Sequence, residues 1–314
     1  MAILPPSQET YVHAAKILSD GGVVSFPTET VYGLGCDIYN ESAIDLVYTL
    51  KNRPKNNPMI AHVLDLSWTD QICTGWNDTC DKLVARFWPG PLTIVVPKKD
   101  SVPKEACGGF NTIAIRCPSH QVARAFLTEF GRPVSAPSAN RSGHISPTSA
   151  QHVVSEFGDS VEIIDGGHCE KGIESTVISM VENPTILRFG SISVEEIQQT
   201  IGDVDKQPIQ YQTNSPGTST RHYAPNTKAF LYSQQQLEKF DATNCVVISI
   251  LFTPTSAKHH FQMPSSAHEY AKKLYSVLRE ADEIGADQII VERPPQAPEW
   301  NAVNDRLRRC CFCD

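Results

Sequence analysis

Residues 8–35 read QETYVHAAKILSDGGVVSFPTETVYGLG and pass through three kinds of segment in succession. Tyr11, Ala14, Ala15 and Leu18 recur at helical spacing, and Gly21-Gly22 stops that helix. VVSF follows as a buried strand, and Pro27 breaks it. Thr28, Glu29 and Thr30 then stand at a strand end, where open α/β sheets bind ligands. Gly33 and Gly35 permit close approach of backbone. By pattern alone, an ordinary strand–turn–helix connection accounts for the stretch at least as well as a binding loop.

The same alternation continues outward. ESAIDLVYTLKNRP (41–54) reads as a helix with Ser42 as N-cap and Asp45 three residues on, its apolar face carrying Ile44, Val47 and Leu50. MIAHV, LTIVV, TIAIR, VEIID, STVISM and TILRF read as strands, and CDKLVARF and QVARAFLTEF as helices between them. Ser193 and Glu196 cap a last helix. Residues 203–227 lack an apolar period and are rich in Pro, Gly, Ser and Thr, as a linker would be. Beyond them KAFLY, CVVISI, QIIVE and two helical runs form a smaller α/β unit. The expected architecture is α/β throughout: a mixed sheet with helices in 1–202, a linker or lid in 203–227 and a small domain in 228–314.

The chain has 314 residues and a formal charge of −8, from 27 basic and 35 acidic residues. An acidic balance argues against a general nucleic-acid coat and leaves room for a local basic pocket. The N-terminus lacks a basic segment followed by an apolar run, so a cytoplasmic location is expected. The ten cysteines then read as free thiols, and the ending RRCCFCD as a fraying tail.

Two further stretches are polar where a core would not be. KNRPKNNP (51–58) gathers Lys51, Arg53, Lys55, Asn56 and Asn57 around two prolines at a helix end. Cations there complement the helix dipole, and a Lys–Arg pair also suits phosphate. SAPSANRSGHISPT (135–148) is half Ser, Thr, Asn or Gly, a donor set fit for an anion or for a surface turn. His62, inside a strand, is more often a satisfied core histidine than a ligand group. Phosphate loops, dinucleotide fingerprints and nucleophile elbows are absent.

Taken in order, FPTETVYGLG, LKNRPKNNPMIAHV, FWPGPLTIVV, TIAIRCP, SAPSANRSG, IESTVI and ILRFG resemble the YrdC-type threonylcarbamoyl-AMP synthases. Lys51-x-Arg53 and Ser138-x-Asn140 match that family's K-x-R and S-x-N signature, and SPGTSTRHYAP and WNAVNDRLRR resemble its long, two-domain form. The resemblance covers residues 8 to 309. The family's linker is nearer to PGMKYRHYAP, so Thr218 to Thr220 depart from it, as does the ending CCFCD.

The resemblance implies a YrdC-like twisted sheet with a large concave face and a Rossmann-like C-terminal domain. It implies synthesis of threonylcarbamoyl-adenylate from L-threonine, bicarbonate and ATP with release of pyrophosphate. Other proteins then carry the group to an adenosine in tRNA. Thr30, His62, Arg116 and Ser175 match threonine positions. Arg53, Asn57, Thr112, Ser138, Ser146, Arg188 and Tyr223 match nucleotide positions. Lys51, Arg53 and Asn140 would face phosphate or carbamate, with Mg²⁺ expected beside ATP and its ligands unassigned. The runner-up is a YrdC-type module that grips RNA without catalysis. A relative acting on carbamoyl phosphate would carry zinc-finger and acylphosphatase regions, which this sequence lacks.

Overall fold

The computed structural model describes residues 3–206 and 223–313; most of the expected linker, 207–222, lies outside them. The strands of the first unit are β1 (Ile3–Leu4), β2 (Val24–Phe26), β3 (Gly33–Asp37), β4 (Ile60–His62), β5 (Leu92–Pro97), β6 (Thr112–Arg116), β7 (Val134–Ala136), β8 (Glu162–Ile164), β9 (Thr176–Ser179), β10 (Thr185–Arg188) and β11 (Asp205–Lys206). They form one mixed sheet in the order β1-β8-β2-β3-β7-β4-β6-β5-β9-β10-β11. Side chains alternate along its centre. Ala61 and Val63, Ile113 and Ile115, and Ile94 and Val96 join the large core on one face. Ile60, Ala114 and Val95 point to the other face, with Val177 and Leu187. A second core layer packs the helices Gln8–Ser19 and Gln121–Phe130 against Val24, Phe26 and Val134.

The second unit is a five-stranded, all-parallel sheet, β14 (His259–Gln262), β13 (Cys245–Ser249), β15 (Gln288–Glu292), β12 (Ala229–Tyr232) and β16 (Phe312–Cys313) in that order. The helices Ala267–Glu283 and Asn301–Cys310 cover it. The two units share a core cluster, in which Val31, Ile145 and Ile173 of the first meet Tyr223, Tyr275 and Val303. Gly172 makes this approach possible: a Cβ there would lie 2.4 Å from the Lys272 carbonyl oxygen, and its φ of +71° is the left-handed region.

Several local expectations change. Asn40, not Ser42, caps the helix Glu41–Lys51: its backbone is extended, and its side chain accepts from Ala43 N at 3.0 Å. Gly33 and Gly35 lie inside β3 rather than in a turn; Gly33 lines the cleft described below, and Gly35 makes room for its neighbours. A Cβ at Gly35 would stand 2.9 Å from the Phe26 ring and 2.8 Å from Val134. Asp205 and Lys206, expected in the linker, pair with Thr185 and Ile186 as an edge strand. The cysteine-rich end does not fray: Phe312 and Cys313 pair with Phe230 and Leu231. Nine cysteines, from Cys36 to Cys311, are buried free thiols, and none of the described helices is long and apolar enough to cross a membrane.

Candidate active site

A cleft opens on the sheet face that carries Ile60 and Ala114. Thr30, Arg53, His62, Arg116, Ser138, Arg188 and Tyr223 all line it, together with Thr28, Tyr32 and Glu174. Six other candidate residues stand behind or beside this wall. Thr112 begins β6 four residues before Arg116, hence on the same face and about 13 Å along the strand. The other five, Lys51, Asn57, Asn140, Ser146 and Ser175, bear on the wall through hydrogen bonds.

One end is organised by Arg116. Thr28 Oγ1 donates to Val31 O at 2.6 Å, so its single hydrogen is used. Thr30 Oγ1, 2.8 Å away, therefore donates to Thr28 and accepts from Arg116 Nη1 at 2.7 Å. Glu29 Oε1 lies 2.8 Å from Arg116 Nη2, close enough for a strong ion pair but not aligned as a hydrogen bond. Nε and Nη2 of this guanidinium are themselves buried and have no hydrogen-bond partner among the described residues, while Arg116 as a residue lines the cleft. His62 shares Nδ1–H with Ile60 O at 3.1 Å. Burial and the Arg116 charge push its imidazole down to about 3, so it is neutral at physiological pH and a poor base.

The K-x-R and S-x-N stretches meet at the next part of the wall. Lys51 is 1% exposed, and its Nζ donates to the backbone carbonyls of Ser138, at 2.6 Å, and of Asn140. Burial, with Arg53 nearby, pulls its pKa well below the usual lysine value. Lys51 does not line the cleft; it holds the loop that does. Arg53 Nη2 donates to Asn57 Oδ1 at 2.7 Å and to Pro58 O at 2.8 Å, and Nε donates to Asn57 O at 3.1 Å. Asn57 therefore fixes Arg53. Burial lowers the Arg53 guanidinium to about 10, which leaves it charged at neutral pH. Asn140 Nδ2 donates to Arg141 O and His144 O, while its Oδ1 is buried without a partner among the described residues.

At the far end Arg188 donates to Ser175 O at 3.1 Å and to Ser175 Oγ at 3.0 Å, and Thr93 Oγ1 lies 2.7 Å from that hydroxyl. Ser175 thus backs Arg188. Ser146 Oγ donates to Glu174 Oε1 at 2.6 Å. Burial pushes the Glu174 carboxyl up, but the Arg306 and Arg188 charges and the bonds from Ser146 and Arg306 outweigh it and hold it at about 2.

Glu174, Tyr275 and Arg306 were missed by the sequence reading. Glu174 was quoted inside IESTVI without a role. Arg306 occupies a core-facing helical position between Val303 and Cys310, and a charge at such a position is the signal that could have found it.

A resident magnesium site finds no donor set here. Glu174, the acid in the cleft wall, is engaged by Ser146, Tyr275 and Arg306. Glu29 is engaged by Arg116 and by Ser119 N. Among the described residues no group of three His, Cys, Asp or Glu could hold a metal ion. The protein's groups fit an anion far better than a cation.

Residues 16–190 match the Sua5, YciO and YrdC family model, described as telomere recombination, and residues 192–311 match the model described as threonylcarbamoyl-AMP synthase, C-terminal domain. The threonylcarbamoyl-AMP synthase of Pyrococcus abyssi is 36% identical over 313 residues, covering 94% of this chain and 92% of that protein. That of Bacillus subtilis is 35% identical, covering 94% and 91%. The crystal structure of P. abyssi Sua5 complexed with L-threonine superimposes with a TM-score of 0.92 at 35% identity, covering 98% of this chain and 97% of that one. With both units matched in order and the cleft built by the family's motifs, the chain belongs to the threonylcarbamoyl-AMP synthase family, in its two-domain form.

Proposed function

We propose that this chain makes L-threonylcarbamoyl-adenylate from L-threonine, bicarbonate and ATP, releasing pyrophosphate. The observation that carries the reading is the division of one cleft: a carboxylate-seeking guanidinium at Arg116, and two further guanidiniums, Arg53 and Arg188, along the same wall. Arg116 would pair with the threonine carboxylate, and the remaining Thr30 lone pair would face the threonine amine or hydroxyl. Arg53, Arg188 and the Ser138 loop would take the phosphates, with the apolar lining of Val31, Ile60 and Ala136 and the ring of Tyr223 beside the base. Lys51, Asn57, Ser146, Ser175 and Asn140 would act by holding those groups in place, and Thr112 by its position on the cleft face of β6.

In the reaction, the neutral amine of threonine adds to carbon dioxide and loses a proton to solvent, or displaces water from bicarbonate, to give a carbamate. A carbamate oxygen then attacks the α-phosphorus, and the bond to pyrophosphate breaks. This chemistry asks for positioning and charge stabilisation rather than a covalent intermediate. The guanidiniums stabilise charge that gathers on the leaving pyrophosphate, and neutral His62 shapes the amino-acid end without taking a proton. Magnesium bound to ATP would neutralise phosphate charge, carried on the nucleotide's own oxygens. The product would pass to transferase proteins acting on tRNA, in the cytoplasm, a reducing setting that suits buried free thiols.

The test is pyrophosphate release from ATP. It is expected to require both threonine and bicarbonate and no RNA. Salt-sensitive RNA binding without turnover would instead favour a non-catalytic YrdC-type module.

A further inference from the structure

Glu174 poses a problem for an anion site: it is the acid in the wall of a cleft whose other charged groups are arginines. Its neutralising partner comes from the other unit. Arg306 Nε donates to Glu174 Oε2 at 2.7 Å, and Tyr275 OH donates to the same oxygen at 2.9 Å. Arg306 is fully buried and also donates to Phe189 O at 2.9 Å and to Asp305 at 2.7 Å. Its guanidinium lies over the Tyr223 ring, 5.3 Å from the centroid, and Tyr223 in turn stacks on Tyr275 at 5.6 Å. One arginine of the small domain therefore touches both an acid and an aromatic ring of the cleft wall.

We infer that Arg306 is a positioning residue of the nucleotide end of the cleft. It cancels the Glu174 charge and backs the Tyr223 ring, so that triphosphate affinity depends on the docked C-terminal domain. Without it, a buried carboxylate either repels phosphate or draws Arg188 away from it. The inference rests on the synthase reading for the identity of the anion.

The test measures binding of α,β-methylene-ATP by calorimetry, and the KM values for ATP and threonine, in the full chain. Arg306→Met is expected to weaken analogue binding and raise the ATP KM by about tenfold or more, since it strands a buried charge. The threonine KM is expected to stay within about threefold, because Arg116 is untouched. Arg306→Met/Glu174→Gln removes both charges and is expected to recover analogue binding to within about threefold of wild type. Tyr275→Phe deletes one neutral donor and should cost far less than Arg306→Met.

Wild-type affinity in Arg306→Met, or a double variant no better than the single one, would overturn the inference. So would an equal loss in Tyr275→Phe, which would make the effect one of hydrogen bonding to Glu174 rather than of charge. Where Arg306→Met does not fold, the double variant decides, and analogue binding about tenfold weaker than wild type overturns the idea. If the wild type binds the analogue but releases no pyrophosphate, the synthase reading fails while the affinity comparison still judges Arg306.

Discussion

The side-chain nitrogen of Lys51 donates to the backbone carbonyl of Ser138 at 2.6 Å, joining the K-x-R and S-x-N stretches across 87 residues of chain. Lys51 holds a loop, and Arg53, two residues on, lines the cleft. The two positions of one motif should therefore fail differently. Lys51→Met is expected to lose about 2–4 kcal/mol of stability, because two buried carbonyls lose a charge-assisted donor. Arg53→Gln is expected to raise the ATP KM by about tenfold or more with a smaller stability loss. Urea unfolding and steady-state kinetics check the split; a stable Lys51→Met with a raised ATP KM would reverse it.

Arg116 is held by Thr30 on one side and Glu29 on the other, and its Nε and Nη2 have no hydrogen-bond partner among the described residues. Lysine cannot reproduce that fork. Arg116→Lys is expected to raise the threonine KM by about thirtyfold to a hundredfold, while the ATP KM moves by no more than a few fold. Titration of each substrate at saturating levels of the other is the measurement.

His62 should make the protein sensitive to mild acid. Its native value of about 3 lies below the ordinary histidine value of 6.5. Above pH 6.5 both folded and unfolded forms are neutral, and nothing is lost. As the pH falls below 6.5, the unfolded chain takes up a proton that the native state refuses, so stability declines until the pH nears 3. The loss between pH 6.5 and 5 is about 2 kcal/mol for this group. His62→Asn should flatten the pH dependence in that window, read from urea midpoints. The Glu174 contribution has the depressed-carboxylate sign: it is present above the ordinary value of 4.5 and disappears as the pH falls toward about 2.

At Gly172 the backbone of the first unit packs tightly against the Lys272 backbone of the second. Alanine there meets the Lys272 backbone and must adopt a left-handed conformation. Gly172→Ala is expected to cost about 2–4 kcal/mol, from overpacking and from backbone strain. An unchanged thermal melt would mean that the contact yields without loss.

Much of the fold is legible locally. The helix Gln8–Ser19 and strand β2 follow from apolar spacing and from the glycines that end the helix. The strand β3 is not legible, because GLGCD has the composition of a turn. Gly35 is required by the Phe26 ring and the Val134 side chain packed against it, and Val134 is brought there only by the folded sheet. The helix start at Asn40 was misread for a smaller reason: two capping residues stood two apart, and only backbone conformation chose between them. The edge strands β11 and β16 are two residues long and carry no period at all.

The site divides in the same way. The sequence by itself determined the alternating α/β order and the donor-rich stretches, because periodicity and composition are local consequences of burial and turn chemistry. Only the tertiary structure decided which members of each stretch face the cleft and which hold their neighbours, as Lys51 and Arg53 illustrate. It alone brought Arg306 to Glu174, 132 residues away. A buried charge takes whatever partner the folded chain brings within hydrogen-bonding distance, and that proximity is a property of the packed domains, not of either segment.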